Sequence, residues 1–284
     1  MNIFSRLELI TDLTDNEKQI VQYLKKYHEN FVKKDAVAIA KESYVSVSTL
    51  YRLCKKLGLS GLSELKVQVS ASLHYFLKEQ EDFDYNYPVK QNQTQYQITH
   101  QLKEVYQQTI FSSYNLIDIN QLRLISHHMK KAKKIDIYAS AGNLYFAQNF
   151  KFQMQEIGID INVPIEEYQQ RLSASSSDSQ HLAFIISFGG RGILIESLIR
   201  ILKKKKVPIV LICGANQNPY EKYADYYLYM NPYEDHCNKI SSFSTRLTLL
   251  YILDCLYTCY FELDYDKNVK KKLEYYDYIK EESV

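Results

Sequence analysis

Residues 134–143 read KIDIYASAGN, and this stretch decides the fold of the longer part of the chain. Ile135, Ile137, Tyr138 and Ala139 make an apolar run of strand length, closed by the small residues Ser140, Ala141 and Gly142. A short apolar run ending in small residues suits a strand that is buried on both faces and leaves the sheet through a tight turn. The pattern recurs downstream in DINVPI (160–165), HLAFIISF (181–188), VPIVLICG (207–214) and YYLYM (226–230). Helical periodicity fills the gaps, as over 146–157. Strands spaced by helices predict a parallel sheet built from right-handed βαβ units, which is a doubly wound α/β fold. A long apolar segment over 243–261 predicts a last helix that packs on this sheet or on a second subunit.

Upstream the periodicity is helical throughout, with none of the alternating β-branched runs that mark strands. Residues 1–77 therefore read as an all-α domain. Thr14 followed by Glu17 has capping-box spacing, and Ile20, Val21, Leu24 and Tyr27 repeat on one helical face. A second helix is expected over 35–43. A third starts after the cap Ser46, runs to Leu57 and stops at Gly58. Between them and the α/β part lies KEQEDFDYNYPVKQNQTQYQ (78–97), polar and broken by Pro88. This composition predicts a connector, followed by a connecting helix from about Thr99, so that residues 78–106 are linker and residues 107–284 form the second domain.

With 284 residues the chain has room for two domains. No apolar stretch approaches the roughly 20 residues of a membrane helix, and the first residues lack a signal-peptide pattern, so a cytoplasmic location without membrane contact is expected. Cys54, Cys213, Cys237, Cys255 and Cys259 form no CxxC pair, and five is an odd number, so reduced thiols are expected and neither metal nor cofactor is assigned. The net charge is only +2, yet residues 43–78 carry five basic side chains against one acid. Nucleic-acid binding must then be argued from that local excess.

In the third helix Val47, Leu50, Leu53, Cys54 and Leu57 make the inward stripe. Ser48, Thr49, Tyr51, Arg52, Lys55 and Lys56 are left facing outward. Short polar and Arg side chains read base edges in the major groove, while Lys and hydroxyl groups hold phosphates. An ordinary solvated helix face has the same composition.

LTDNEKQIVQYL (13–24) and AIAKESYVSVSTLYRLCKKLGLSGLSELK (38–66) resemble the N-terminal domain of the RpiR family of bacterial regulators. Val45, Ser46, Thr49, Arg52, Cys54, Lys56, Leu57, Gly58, Gly61 and Lys66 stand in register with the family pattern. The resemblance implies a helix-turn-helix domain whose recognition helix runs from Ser46 to Leu57. It makes Ser48, Thr49 and Arg52 candidates for base reading and Lys55, Lys56 and Lys66 candidates for phosphate contact, with Ser46 and Tyr51 on the same DNA-binding face.

Two loops after strands, ASAGN (139–143) and SFGGRG (187–192), are rich in small residues. In an open α/β sheet a ligand binds beyond the carboxyl ends of the strands, where amides and a helix N-terminus favour an anion. Tight strand-to-helix turns also use Gly and Ser for purely structural reasons. The order and spacing over about 107–262 are similar to the sugar isomerase (SIS) domain, which follows the DNA-binding unit in the RpiR family. That resemblance implies a phosphorylated sugar or sugar derivative as effector, with Ser140, Asn143, Ser187, Gly189, Gly190 and Arg191 as candidate ligand contacts. The family loops usually run G-x-G-x-S and S-x-S-G-x-T. Here Ala139, Ala141 and Asn143 occupy the first set, and Gly189 and Gly192 replace hydroxyl residues of the second.

The expected function is a DNA-binding transcription regulator of carbohydrate metabolism genes, not an enzyme, with a double-stranded DNA operator as partner and a homodimer or homotetramer as its assembly. Two alternatives stay open. One is a SIS-type sugar phosphate isomerase, for which Glu234 and His236 would supply proton transfer. The other is a regulator whose SIS domain serves only in oligomerisation.

Overall fold

A computed structural model of the chain describes residues 3–10, 12–79, 84–189, 193–215 and 219–281. The chain divides into two compact units, residues 1–83 and 84–284.

The first unit is all helical: α1 (Ile3–Leu9), α2 (Asp15–Lys26), α3 (His28–Lys33), α4 (Ala36–Glu42), α5 (Val47–Lys56) and α6 (Leu62–Glu79). Its core is built from one apolar stripe of each helix, with Phe4, Ile20, Leu24, Phe31, Ile39, Leu50, Leu53 and Leu65 fully buried. The expected capping box starts α2: Glu17 N–H donates to Thr14 Oγ1, and Thr14 N–H donates to the Glu17 carboxylate at 2.8 Å. Asp35 caps α4 by accepting from Ala38 N–H at 2.8 Å. Ser46 caps α5, and Gly58, just beyond its end, takes φ +67°, a left-handed conformation glycine adopts without steric cost.

The second unit holds α7 (Gln95–Leu116), α8 (Ile119–Lys131), β1 (Lys134–Ala139), α9 (Gly142–Gln155), β2 (Ile161–Asn162), α10 (Glu167–Ser176), β3 (His181–Ser187), α11 (Ile193–Lys204), β4 (Ile209–Gly214), β5 (Tyr226–Met230), α12 (Phe243–Glu262) and α13 (Tyr265–Glu281). All pairings in the sheet are parallel, in the order β2-β1-β3-β4-β5. Ile135, Ile137 and Ala139 join Phe150, Met154, Leu249 and Ile252 in the core on one face. Tyr138 and Asp136 point to the other face, where Ser173 of α10 lies within hydrogen-bonding reach of both. Asp136 is buried and fully engaged, accepting from Asn162 Nδ2 at 2.7 Å and meeting His181 Nδ1 at 2.7 Å.

Much of the segment expected as linker, residues 84–106, belongs to this second unit. Thr94 starts α7 with a second capping box. Farther along α7, Thr109 Oγ1 donates to Ser244 Oγ at 3.0 Å and Ser113 Oγ meets Thr248 Oγ1 at 2.9 Å, so buried hydroxyls join α7 to α12. Composition alone shows those residues as polar and hides their pairing. The helix α12 packs on α7, α8, α9 and β5 of its own unit, which accounts for its apolar surface. Among the described residues no helix is long and apolar enough to cross a membrane.

Candidate functional site

In the first unit the candidate surface is α5 and the turn before it. Ser48, Tyr51, Arg52 and Lys55 are exposed. The Lys55 side chain has no ion-pair or hydrogen-bond partner among the described residues, its backbone carbonyl being taken by the Gly58 N–H at 2.9 Å. Thr49, expected to face outward, is buried at 4% exposure. Its hydroxyl sits 2.8 Å from Ser46 Oγ and accepts from Arg52 Nη2 at 3.4 Å. Thr49 therefore orients Arg52 from beneath. Ser46 accepts from Thr49 N–H at 3.2 Å and lies 2.7 Å from Ser48 Oγ, so it is spent as a cap. Val47, expected inward, is only half-buried.

Two of the expected phosphate contacts are engaged elsewhere in the unit. Lys56 donates to the Glu17 carboxylate at 2.9 Å and to the Asp12 carbonyl at 2.6 Å. Lys66 donates to the carbonyl of Lys34, at the end of α3. Burial acts to raise the Glu17 pKa, but hydrogen bonds from Lys56 and Thr14 outweigh it and hold the carboxyl below its usual value. A carboxylate depressed on folding contributes stability above its unfolded pKa, and that contribution is lost as pH falls through the folded value. Lys56→Ala should therefore lower the thermal midpoint at pH 7. The deficit relative to the parent should shrink as pH falls below the ordinary carboxylate range and Glu17 takes up its proton. Melting curves from pH 7 to pH 3 check this, and an unchanged midpoint at pH 7 would count against the pairing.

Sequence reasoning missed Tyr44. It occupies the turn between α4 and α5 with φ +56° and is 89% exposed. A bulky side chain rarely takes positive φ, and such strain, on the order of 1–3 kcal/mol, gathers at functional sites. Only the conformation reveals it.

In the second unit the order β2-β1-β3-β4-β5 reverses direction between β1 and β3, which is the switch point where doubly wound sheets bind ligands. Ala139 pairs with Ile186, so the loops bearing Ser140 and Ser187 leave the sheet side by side. Ser140 is exposed, and its carbonyl accepts from Asn143 N–H at 3.2 Å. Asn143, Ser187 and Gly189 are half-buried. Ala141 holds φ +49° and ψ −134°, and no side chain caps the first turn of α9. Gly190 and Arg191 lie outside the described residues. Gln170 of α10, which the sequence did not mark, is buried and donates from Nε2 to the Ala139 carbonyl at 2.8 Å, fixing the end of β1.

The loop after β5 encloses Glu234, which is 3% exposed. Its carboxylate accepts from Ser244 N–H, from Thr245 N–H at 3.2 Å and from Thr245 Oγ1 at 2.5 Å, and it pairs with Lys239 Nζ at 3.3 Å. Glu234 thus anchors the start of α12. His236 is exposed on the same loop. All five cysteines are free thiols, and among the described residues no group of His, Cys, Asp and Glu is placed to hold a metal ion.

Residues 1–75 match the helix-turn-helix domain of the rpiR family, and residues 128–258 match the SIS domain. An uncharacterized HTH-type transcriptional regulator of Haemophilus influenzae is 23% identical over 257 residues, spanning 90% of this chain and 88% of its own length. The HTH-type transcriptional regulator RpiR of Escherichia coli K12 is 19% identical over 255 residues, spanning 90% and 84%. Among solved structures, the Vibrio vulnificus NanR protein complexed with ManNAc-6P superposes with a TM-score of 0.60 at 16% identity, covering 97% of this chain and 95% of that one. With a helix-turn-helix unit and a SIS unit matched in that order, the chain belongs to the RpiR family of transcriptional regulators.

Proposed function

We propose that this regulator binds operator DNA through α5 and that a phosphorylated sugar or sugar derivative, bound between the β1 and β3 loops, alters that binding. The observation that carries the DNA half is the surface of α5. Ser48, Tyr51, Arg52 and Lys55 stand exposed on a helix whose neighbouring cations, Lys56 and Lys66, are already paired. On this reading Arg52 and Ser48 meet base edges, Lys55 and Tyr44 meet the backbone, and Ser46 and Thr49 position the others. Ligand binding is supported by the switch-point crevice and by the ManNAc-6P held in the Vibrio vulnificus relative of the same fold. A helix that reads one half-site calls for a homodimer or homotetramer. Against an isomerase reading stands Glu234, whose carboxylate is enclosed by α12 and Lys239 and so is not available as a base.

Thermal-shift measurements test the sensor half, because a ligand bound only by the folded state stabilises it by about 2.7 kcal/mol at one hundred times its Kd. ManNAc-6P and other phosphorylated sugars should raise the midpoint more than their unphosphorylated forms or inorganic phosphate. No shift with any of them would leave the second unit a role in assembly alone.

A further inference from the structure

The loop between β5 and α12 touches three things at once, and that placement suggests a task. Lys239, whose side chain is 11% exposed, lies 5.4 Å from the ring centroid of Phe188, within cation–π range. Phe188 belongs to the second ligand loop, next to Ser187 and Gly189. Its carbonyl accepts from Gly214 N–H at 2.9 Å, and a side chain at Gly214 would collide with that oxygen. The Phe188 backbone is thus tied to the end of β4, and its ring lies against Lys239.

On either side of Lys239 the same loop grips the first residues of the second unit. Asp235 N–H donates to Asn86 Oδ1 at 2.6 Å, and Ile240 N–H donates to the Asn86 carbonyl at 3.0 Å. Tyr87 donates its hydroxyl to Asn238 Oδ1 at 2.5 Å, and Tyr85 stacks on Tyr233 with centroids 5.2 Å apart. Within the loop, side chains tie the backbone to itself and to α12. Asp235 accepts from Cys237 and Asn238 N–H, both at 2.8 Å, and Glu234 joins Lys239 to the start of α12.

We infer that Lys239 and Asn86 are positioning residues, through which occupancy of the β1–β3 crevice is transmitted to the chain leading toward the helix-turn-helix unit. The inference rests on the sensor reading above and adds its route. A ligand that displaces Phe188 moves Lys239, the adjoining hydrogen-bonded loop backbone carries the displacement, and Asn86 receives it through two hydrogen bonds. Coupling of this kind is reciprocal, so a change at Asn86 must also be felt at Phe188.

Amide hydrogen exchange on the full-length protein tests the route without any effector. Phe188→Leu, which removes the ring and keeps an apolar side chain, should accelerate exchange of the Asp235 and Ile240 amides by at least about fivefold, the lower end of usual site-to-site coupling. Asn86→Ala should do the same at the Gly214 amide, which is bonded to the Phe188 carbonyl. Unchanged exchange at both remote positions would overturn the inference. With ManNAc-6P as the probe, Asn86→Ala, which removes the Asp235 bond and keeps the one from Ile240 to the backbone carbonyl, should retain the parent's DNA affinity and thermal shift while weakening the sugar's effect on DNA affinity; an effect of parental size would overturn it as well. If no sugar affects the parent but the exchange coupling persists, the failure belongs to the choice of effector and not to the route.

Discussion

Replacing Glu234 with alanine is expected to remove about 3–5 kcal/mol of stability, the usual cost of breaking a buried ion pair by deleting one partner. The carboxylate collects two backbone N–H groups from the first turn of α12, the Thr245 hydroxyl and the Lys239 ammonium. Without it, two helix N–H groups and a largely buried cation lose their acceptor together, and each unmet group carries its own desolvation penalty. The loss falls on a helix central to its unit, since α12 packs on α7, α8, α9 and β5. Urea unfolding checks the figure, with the midpoint shifted and the slope retained. Glu234→Gln, which keeps an acceptor and loses the charge, should fall between alanine and the parent. A shift under about 1 kcal/mol for alanine would mean that the pocket refills with water and that Glu234 is not the anchor described.

Arg52→Ala is expected to cost about 1–3 kcal/mol of discrimination at one operator position, roughly fivefold to 150-fold in relative affinity. Arg52 is exposed on α5, and its guanidinium is held from beneath by the buried Thr49 hydroxyl. A held side chain loses less conformational freedom on binding than a free one, and this is where specificity is gained. Lys55→Ala should behave differently, weakening all sequences alike and reducing the salt slope by about one, as the loss of a single phosphate contact does. Binding titrations over a range of salt, on a matched and a mismatched duplex, separate the two outcomes. If Arg52→Ala weakens both duplexes equally, Arg52 holds phosphate and another residue of α5 reads the bases.

The fold was legible where local chemistry writes it. Thr14 with Glu17, Ser46 and Gly58 announce helix ends through their own hydrogen bonds and conformations, and the apolar runs around Ile137, Phe184 and Val210 mark strands buried on both faces. The site was legible as a face and only partly as residues. Helical periodicity leaves the edge of the apolar stripe undetermined, so it places Thr49 outward although the side chain packs inward. Lys56 finds Glu17 thirty-nine positions away, and Lys66 finds the Lys34 carbonyl thirty-two away, partnerships that no local pattern contains. The same holds for Asn86, which looked like connector and instead grips the loop after β5. Ala141 shows the converse. The sequence marked it as a departure from the glycine of the resembling loop, and the structure gives that departure a physical meaning, because φ +49° is where glycine sits most easily.

The most direct test of the regulator reading is binding of the purified protein to DNA upstream of its own gene, at fixed salt, with and without ManNAc-6P and other phosphorylated sugars. Specific binding that one sugar phosphate strengthens or releases, and that its unphosphorylated form leaves unchanged, is the expected result. Equal affinity for this DNA and for unrelated duplexes, unmoved by any sugar phosphate, would contradict it.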